Sequence, residues 1–297
     1  MGAIVIIGYG YVGGRLAEAA KARGESVSAL VRNDAAAQRA AAAGIATLRA
    51  DLDAPSSLTA LDLRGSTVIY LAPPPTTGAT DSRVRNLTAA LPQDRAPHTF
   101  VYISTTAVYG DCGGAWIDES TPPRPTQDRG TRRLDAETTL IEWGTRVGCR
   151  VVILRVGGIY GPLRIPLERL RKGEPMVDDP TYPSFVNVIH ADDLVSVCLA
   201  AAERGQHGAI FNVCDGHPLT MMHYFSTLAE LAGLPAPRAI TMAEAQTQLS
   251  PGMLSYVQDS RRIDNKKLRN ELGVVLRFAN ARIGLRDCLR YERPLTS

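Results

Sequence analysis

Residues 4–20 read IVIIGYGYVGGRLAEAA. A short aliphatic run, a cluster of glycines and an Ala/Leu-containing stretch follow one another, which is the order strand, tight turn, helix. Gly8, Gly10 and Gly13 fall in GxGxxG spacing at that junction. Each glycine answers a different steric demand. Gly8 permits the turn, Gly10 lets the backbone approach a pyrophosphate, and Gly13 lets helix and strand pack closely. The free amides of the helix N-terminus then face the anion. The spacing alone is no more than a glycine-rich turn. With a strand before it and a helix after it, the stretch reads as a dinucleotide site, with Gly8, Tyr9, Gly10, Tyr11, Val12 and Gly13 around the phosphates.

Working outward, short Val/Ile-rich runs alternate with Ala-rich ones: SVSALVR, AAAQRAAAAG, STVIYLA, HTFVYIS, RVVILRV. Near-continuous apolar strands separated by helices indicate a parallel sheet covered on both faces. The expected fold is α/β, a Rossmann-type doubly wound parallel sheet with a smaller C-terminal substrate lobe. Residues 1–165 make the nucleotide-binding domain, with 183–215 (SFVNVIHADDLVSVCLAAAE onward) returning to the sheet. Residues 166–182 and 216–297 form the smaller lobe. Ligands in such folds bind at the carboxyl ends of the strands.

At the end of the second strand, where an acidic residue would accept hydrogen bonds from a ribose 2′-OH, stand Val31, Arg32 and Asn33. A guanidinium cannot accept a hydrogen bond but pairs well with a 2′-phosphate. Arg32 therefore favours NADP, with NAD as the alternative and a surface loop cation as the plain reading. Arg15 is a second candidate or an exposed helix charge.

Thirty-three basic and 30 acidic side chains leave a net charge of +3. No Lys/Arg run forms a nucleic-acid or membrane patch, so a small-molecule partner is expected. Five cysteines without a CxxC pair fit a reducing cytoplasm. The N-terminal stretch has no basic leader, and its glycines break it short of a membrane span. His98, His190, His207, His217 and His223 show no metal-ligand spacing, and no GxSxG elbow occurs.

Taken in order, GYGYVGG, ADLDAPSSL, YLAPPP, YISTTAVYG, RVGGIYGP, VNVIHADDL and FNVCDG resemble the extended short-chain dehydrogenase/reductase family, the epimerase/dehydratase group, over nearly the whole chain. The resemblance implies that Asp51 and Leu52 border the adenine and that Leu71, Ala72, Pro73 and Tyr160 line the cofactor. Thr105 would polarise the reacting carbonyl or hydroxyl. A homodimer is implied by the same resemblance.

The family's tyrosine and lysine sit in a segment of the form YGxSKxxxE about 25 residues further on, and counting forward from Thr105 arrives at RGTRRLDAE, residues 129–137. Gly130 and Glu137 match, Arg133 takes the lysine position and Arg129 that of the tyrosine. Tyrosine titrates near 10 and can be tuned, whereas a guanidinium keeps its proton. Ordinary tyrosine-mediated proton transfer cannot come from residue 129. Thr106 and Ala107, where dehydratases carry an acidic pair, discount sugar-nucleotide dehydration. Tyr109 and Tyr160 are alternative proton-transfer candidates, or packing residues. The loop DCGGAWIDES (111–120) is either a cover for the cleft or a solvated loop.

Arg133 keeps a cation for ribose or pyrophosphate contact, and Arg129 adds one facing an anionic substrate, unless both are ordinary helix charges. Arg164, Arg169, Arg171 and Lys172 are a further basic cluster, for substrate phosphate or for solvent. Two functions follow. One is an NADP-dependent oxidoreductase or epimerase acting on a small anionic or sugar-nucleotide substrate by a non-standard acid/base route. The other is a non-catalytic NADP(H)-binding redox sensor.

Overall fold

Near-continuous apolar runs, buried on both faces, decide the architecture. In the computed structural model, which describes residues 2–292, these runs become β1 (Ile4–Ile7), β2 (Val27–Val31), β3 (Ala46–Arg49), β4 (Thr67–Tyr70), β5 (Thr99–Thr105), β6 (Arg150–Val156) and β7 (Ala209–Val213). They form one sheet in the order β7-β6-β5-β4-β1-β2-β3, and every neighbouring pair is parallel. Successive side chains of a strand point to opposite faces. Ile4, Ile6, Val101, Ile103, Val152 and Leu154 accordingly join one core cluster, and Val5, Ile7, Phe100, Tyr102, Val151 and Ile153 join another.

Helices cover both faces. Leu16 and Ala17 of α1 (Tyr11–Ala22) and Leu194 and Val197 of α2 (Ala191–Arg204) fill the first core. The second is filled by Val84 and Leu87 of α3 (Ser82–Ala90) and by Leu140 and Trp143 of α4 (Asp128–Val147). A third cluster gathers Tyr160, Leu170, Val186, Met221, Tyr224, Phe225 and Leu285 from the chain beyond β6. Among the described residues no helix is long and apolar enough to cross a membrane.

Two local expectations change. The sequence pattern offers no strand at β3, because this edge strand leaves Ala46, Thr47 and Arg49 exposed and lacks a buried run. The stretch expected to rejoin the sheet from residue 183 does so only in its later part. Phe185–Val186 pairs with Leu219–Thr220, and Val188–His190 pairs with Gly158–Tyr160, both outside the main sheet. The chain rejoins the sheet at β7, after α2 has packed on its face. His190 caps α2, accepting from the Asp192 amide at 3.2 Å, and lies buried between Tyr160 and Phe278. Asp193 accepts from the amides of Arg277 and Phe278 at 2.8 and 2.9 Å and so ties the C-terminal segment to the sheet.

Candidate active site

The sheet order reverses between β1 and β4, and a cavity of about 340 Å³ opens at the carboxyl ends of the strands there. Its walls come from the segments just past β1 to β4: Gly8 and Tyr9; Val31 and Arg32; Asp51 and Leu52; Ala72 and Pro73. The three glycines differ in what they meet. A β-carbon on Gly8, at φ +105°, would lie 2.5 Å from the Ala72 nitrogen, and one on Gly13 would lie 2.4 Å from the Gly8 carbonyl oxygen. A β-carbon on Gly10 meets nothing within 4 Å. The fold itself therefore needs glycine at 8 and 13, while the space beside Gly10 is left open at the N-terminus of α1. No acidic residue stands in that helix's first turn. No side chain caps that end, and since the first amides of a helix have no partner within it, a dinucleotide pyrophosphate suits this cradle.

Arg32 lies on the rim of that cavity, and among the described residues it makes no ion pair. Asn33 is used as a helix cap, its side chain accepting from the Ala36 amide at 2.9 Å. The rim carries a second pair that sequence reading missed: Arg83 grips Asp53 through two hydrogen bonds of 2.8 and 2.6 Å and the Pro73 carbonyl at 2.9 Å. The Arg83 hydrogen bonds hold the Asp53 carboxyl below the usual carboxylate range. Arg15 is drawn away from the nucleotide cavity, pairing with Asp192 and lying over the Tyr11 ring. The Tyr11 hydroxyl donates to the Pro162 carbonyl at 2.9 Å. The Val12 side chain is packed in the core, and Leu71 hydrogen-bonds back to β1 through its amide, 2.7 Å from the Ile7 oxygen.

Helix α4 brings the second set of residues to the sheet edge. Arg129, Arg133 and Glu137 stand four apart, so they share one helix face. The buried Glu137 carboxylate accepts from Arg155 of β6, with a shortest contact of 2.7 Å, and from the Ser104 hydroxyl of β5. One turn earlier, Arg133 donates to the Ile103 carbonyl at 2.8 Å and the Tyr102 hydroxyl at 3.0 Å. One turn earlier again, Gly130 lets the helix close onto the turn after β5: a β-carbon there would lie 2.7 Å from the Ala107 oxygen. Arg129 thereby reaches the cavity that holds Thr105.

That cavity, about 140 Å³, is lined by Thr105, Arg129, Tyr256, Asp259 and Arg261 among others. The Thr105 oxygen accepts from the Ala107 amide at 3.2 Å, which leaves its O–H free to donate into the cavity. Arg129 and Tyr256 also line a larger cavity of about 500 Å³ with Arg164, Arg169, Tyr160 and Tyr224. Of the basic cluster after YGP, Arg164 and Arg169 face this space, while Arg171 is exposed and paired with Glu168. Lys172 lies on the surface.

Several side chains stand apart from the places expected of them. Tyr109 is buried away from the described cavities, its hydroxyl donating to Asn212 at 2.8 Å under the Arg155 guanidinium. Burial raises its pKa, with Arg155 pulling it down. Tyr160 lines the larger cavity rather than the nucleotide one, and its hydroxyl lies against Gly284, where a β-carbon would be 2.0 Å away. Burial pushes its phenol well up. Arg133 is a clamp on the Ile103 and Ala72 carbonyls and the Tyr102 hydroxyl and lines none of the three cavities above. The 111–120 loop is stitched down, Trp116–Ile117 pairing with Arg262–Ile263 and Glu119 accepting from the Asn212 amide at 2.7 Å.

Conversely, Asp259 and Arg261 reach Thr105 from about 150 residues further along the chain. Thr126 donates to Asp259 at 2.8 Å, and Arg261 donates to the Gly110 carbonyl at 2.6 Å. Burial pulls the Arg261 pKa down, while Asp259 opposes the shift. No local motif marks this segment, and only its return to the sheet edge gives it a place in the site.

A parallel sheet in this order, with an open cradle at its switch point and a cleft beside it, defines a Rossmann-type α/β protein. The chain belongs to the NAD dependent epimerase/dehydratase family, whose model matches residues 4–214. It is similar to protein YeeZ of Escherichia coli K12, 27% identical over 280 residues, which are 91% of this chain and 94% of YeeZ. It is also similar to the 4-hydroxy-2-methyl-3-oxo-4-farnesyl-3,4-dihydroquinoline-1-oxide ketoreductase of Stigmatella aurantiaca, 29% identical over 247 residues, covering 77% of this chain and 72% of that protein. Among solved structures, a conserved protein of unknown function from Silicibacter pomeroyi matches with a TM-score of 0.84 at 32% identity, over 98% of this chain and 99% of that one.

Proposed function

We propose that the chain is an NADP-dependent oxidoreductase or epimerase acting on a small polar substrate that is anionic or a sugar nucleotide. The observation that carries this reading is the position of Arg129, which lines both the small cavity with Thr105 and the large one with Arg164 and Arg169. In this reading the main sheet with its covering helices holds the dinucleotide, and the chain between β6 and α2 together with that beyond β7 forms the substrate lobe. The cofactor supplies hydride chemistry. Thr105 donates a hydrogen bond to the reacting oxygen, and the three guanidiniums pair with the substrate's anionic group.

Arg32 supports NADP over NAD. Arg32→Asp is expected to weaken NADPH binding roughly 10- to 100-fold, the worth of one charge-assisted contact, and to leave NADH binding unchanged or improved. Fluorescence titration with both cofactors measures this, and equal losses for the two would remove the 2′-phosphate assignment.

For the substrate side, NADPH consumption over a panel of carboxylated carbonyl compounds and oxidised sugar nucleotides is the direct test. Arg129→Gln should raise KM for the accepted substrate by about tenfold or more while leaving cofactor affinity in place. A KM that does not move removes Arg129 from substrate binding. The alternative is a non-catalytic NADP(H) sensor, suggested by the permanent cation at residue 129. It would show different affinities for the two redox forms and no turnover on any compound.

A further inference from the structure

We propose that Tyr256 is the proton donor of this cleft, filling from the C-terminal part of the chain the role that residue 129 cannot fill. The assignment rests on the oxidoreductase reading above. Besides the two guanidiniums, two side chains that line the Thr105 cavity carry an ionisable group, Tyr256 and Asp259. Asp259 is held by the protein: its side chain is 5% exposed, one oxygen accepts from Thr126, and the other, without a hydrogen-bond partner among the described residues, stands 3.8 Å from Arg261. Tyr256 is 40% exposed and lines both cavities.

Its hydroxyl is at the sheet edge. A β-carbon on Gly158 would come within 3.1 Å of Tyr256 Oη. Gly158 follows β6 by two residues, and the last residue of β6, Val156, stands directly opposite Thr105. Gly158 thus leaves the phenol room at the strand end, in the cavity that Thr105 also lines. Burial raises the pKa of that phenol, and the charges of Arg261 and Arg129 oppose the rise. Cation and tyrosine have exchanged places: the charge sits on α4 and the phenol arrives from the C-terminal side.

In the step, Tyr256 Oη gives its proton to the carbonyl oxygen of the substrate as the carbonyl carbon accepts a hydride from a reduced nicotinamide dinucleotide. The phenol O–H breaks, and alcohol C–H and O–H bonds form. The phenolate left in the cavity with Arg129 and Arg261 then recovers a proton from water.

The test uses the full chain with Tyr256→Phe, Asp259→Asn, Arg129→Gln and Arg261→Gln. Ultraviolet difference titration of the phenolate, without cofactor, should lose one component in Tyr256→Phe, and that component should move to higher pH in both arginine variants. Tyr256→Phe should bind NADPH as the wild type does and lose about 10²- to 10⁴-fold in turnover, the usual worth of a general acid. A phenolate component that neither arginine variant moves overturns the proposal. So does a Tyr256→Phe rate equal to wild type, or a loss found in Asp259→Asn instead; each leaves the oxidoreductase reading standing. Wild-type protein that binds NADPH and turns over nothing on the panel overturns that reading, and the proposal with it.

Discussion

Glu137→Leu is expected to lower the unfolding free energy by roughly 3–5 kcal/mol, the usual cost of leaving one member of a buried ion pair without its partner. Glu137 and Arg155 have side chains 3% and 4% exposed, and the carboxylate also takes the Ser104 hydroxyl. Removing it strands a guanidinium that already has one nitrogen without a partner, and it deprives a serine hydroxyl of its acceptor. The pair is not thereby a large net gain for the fold. Desolvating both charges offsets most of their attraction, so the double variant Glu137→Leu with Arg155→Met should recover much of the loss. Urea denaturation of the single and double variants measures both quantities. A single-variant loss below about 1 kcal/mol would mean that water or a rearranged side chain satisfies Arg155. Because this pair pins α4 to β5 and β6, the single variant should also loosen the approach of Arg129 to Thr105.

Asp215 should contribute stability that falls as pH rises from about 4 to 7. The side chain is buried at the start of the turn after β7, and one of its oxygens has no hydrogen-bond partner. Burial pushes its carboxyl up to about 7; the His217 amide pulls it down and the Asp193 carboxylate adds to the rise. In the unfolded chain an aspartate titrates near 4. Between the two values the folded state binds a proton that the unfolded state has released, so folding is favoured most below the lower value and loses that advantage as pH rises through the upper one. About three units correspond to up to about 4 kcal/mol. Asp215→Asn should flatten this part of the profile relative to wild type. Identical slopes for the two proteins would show that Asp215 stays ionised in the fold.

Glu137 is legible from spacing, since it closes the segment that begins at Arg129. Its partners Arg155 and Ser104 are not, because they lie on strands whose pairing no local pattern reveals. Tyr109 and Tyr160 show the reverse case. Both stand in family motifs, and both have hydroxyls turned away from the nucleotide cavity, one to Asn212 and one to Gly284.

The strand–glycine–helix opening, the alternation of apolar runs and the spacing of RGTRRLDAE were determined by sequence alone. Each is a local periodicity or a steric demand on a few neighbouring residues. The glycine at 13 answers to its close neighbours Gly8 and Ile6, whereas the one at 8 also answers to Ala72, just past the neighbouring strand β4. The joining of Thr105, Arg129, Tyr256, Asp259 and Arg261 in one cavity was decided only by the tertiary structure. These residues lie up to 156 positions apart, and their encounter depends on how the C-terminal segment packs back along the carboxyl edge of the sheet. Such packing is settled by burial over the whole core, which no single stretch of sequence encodes.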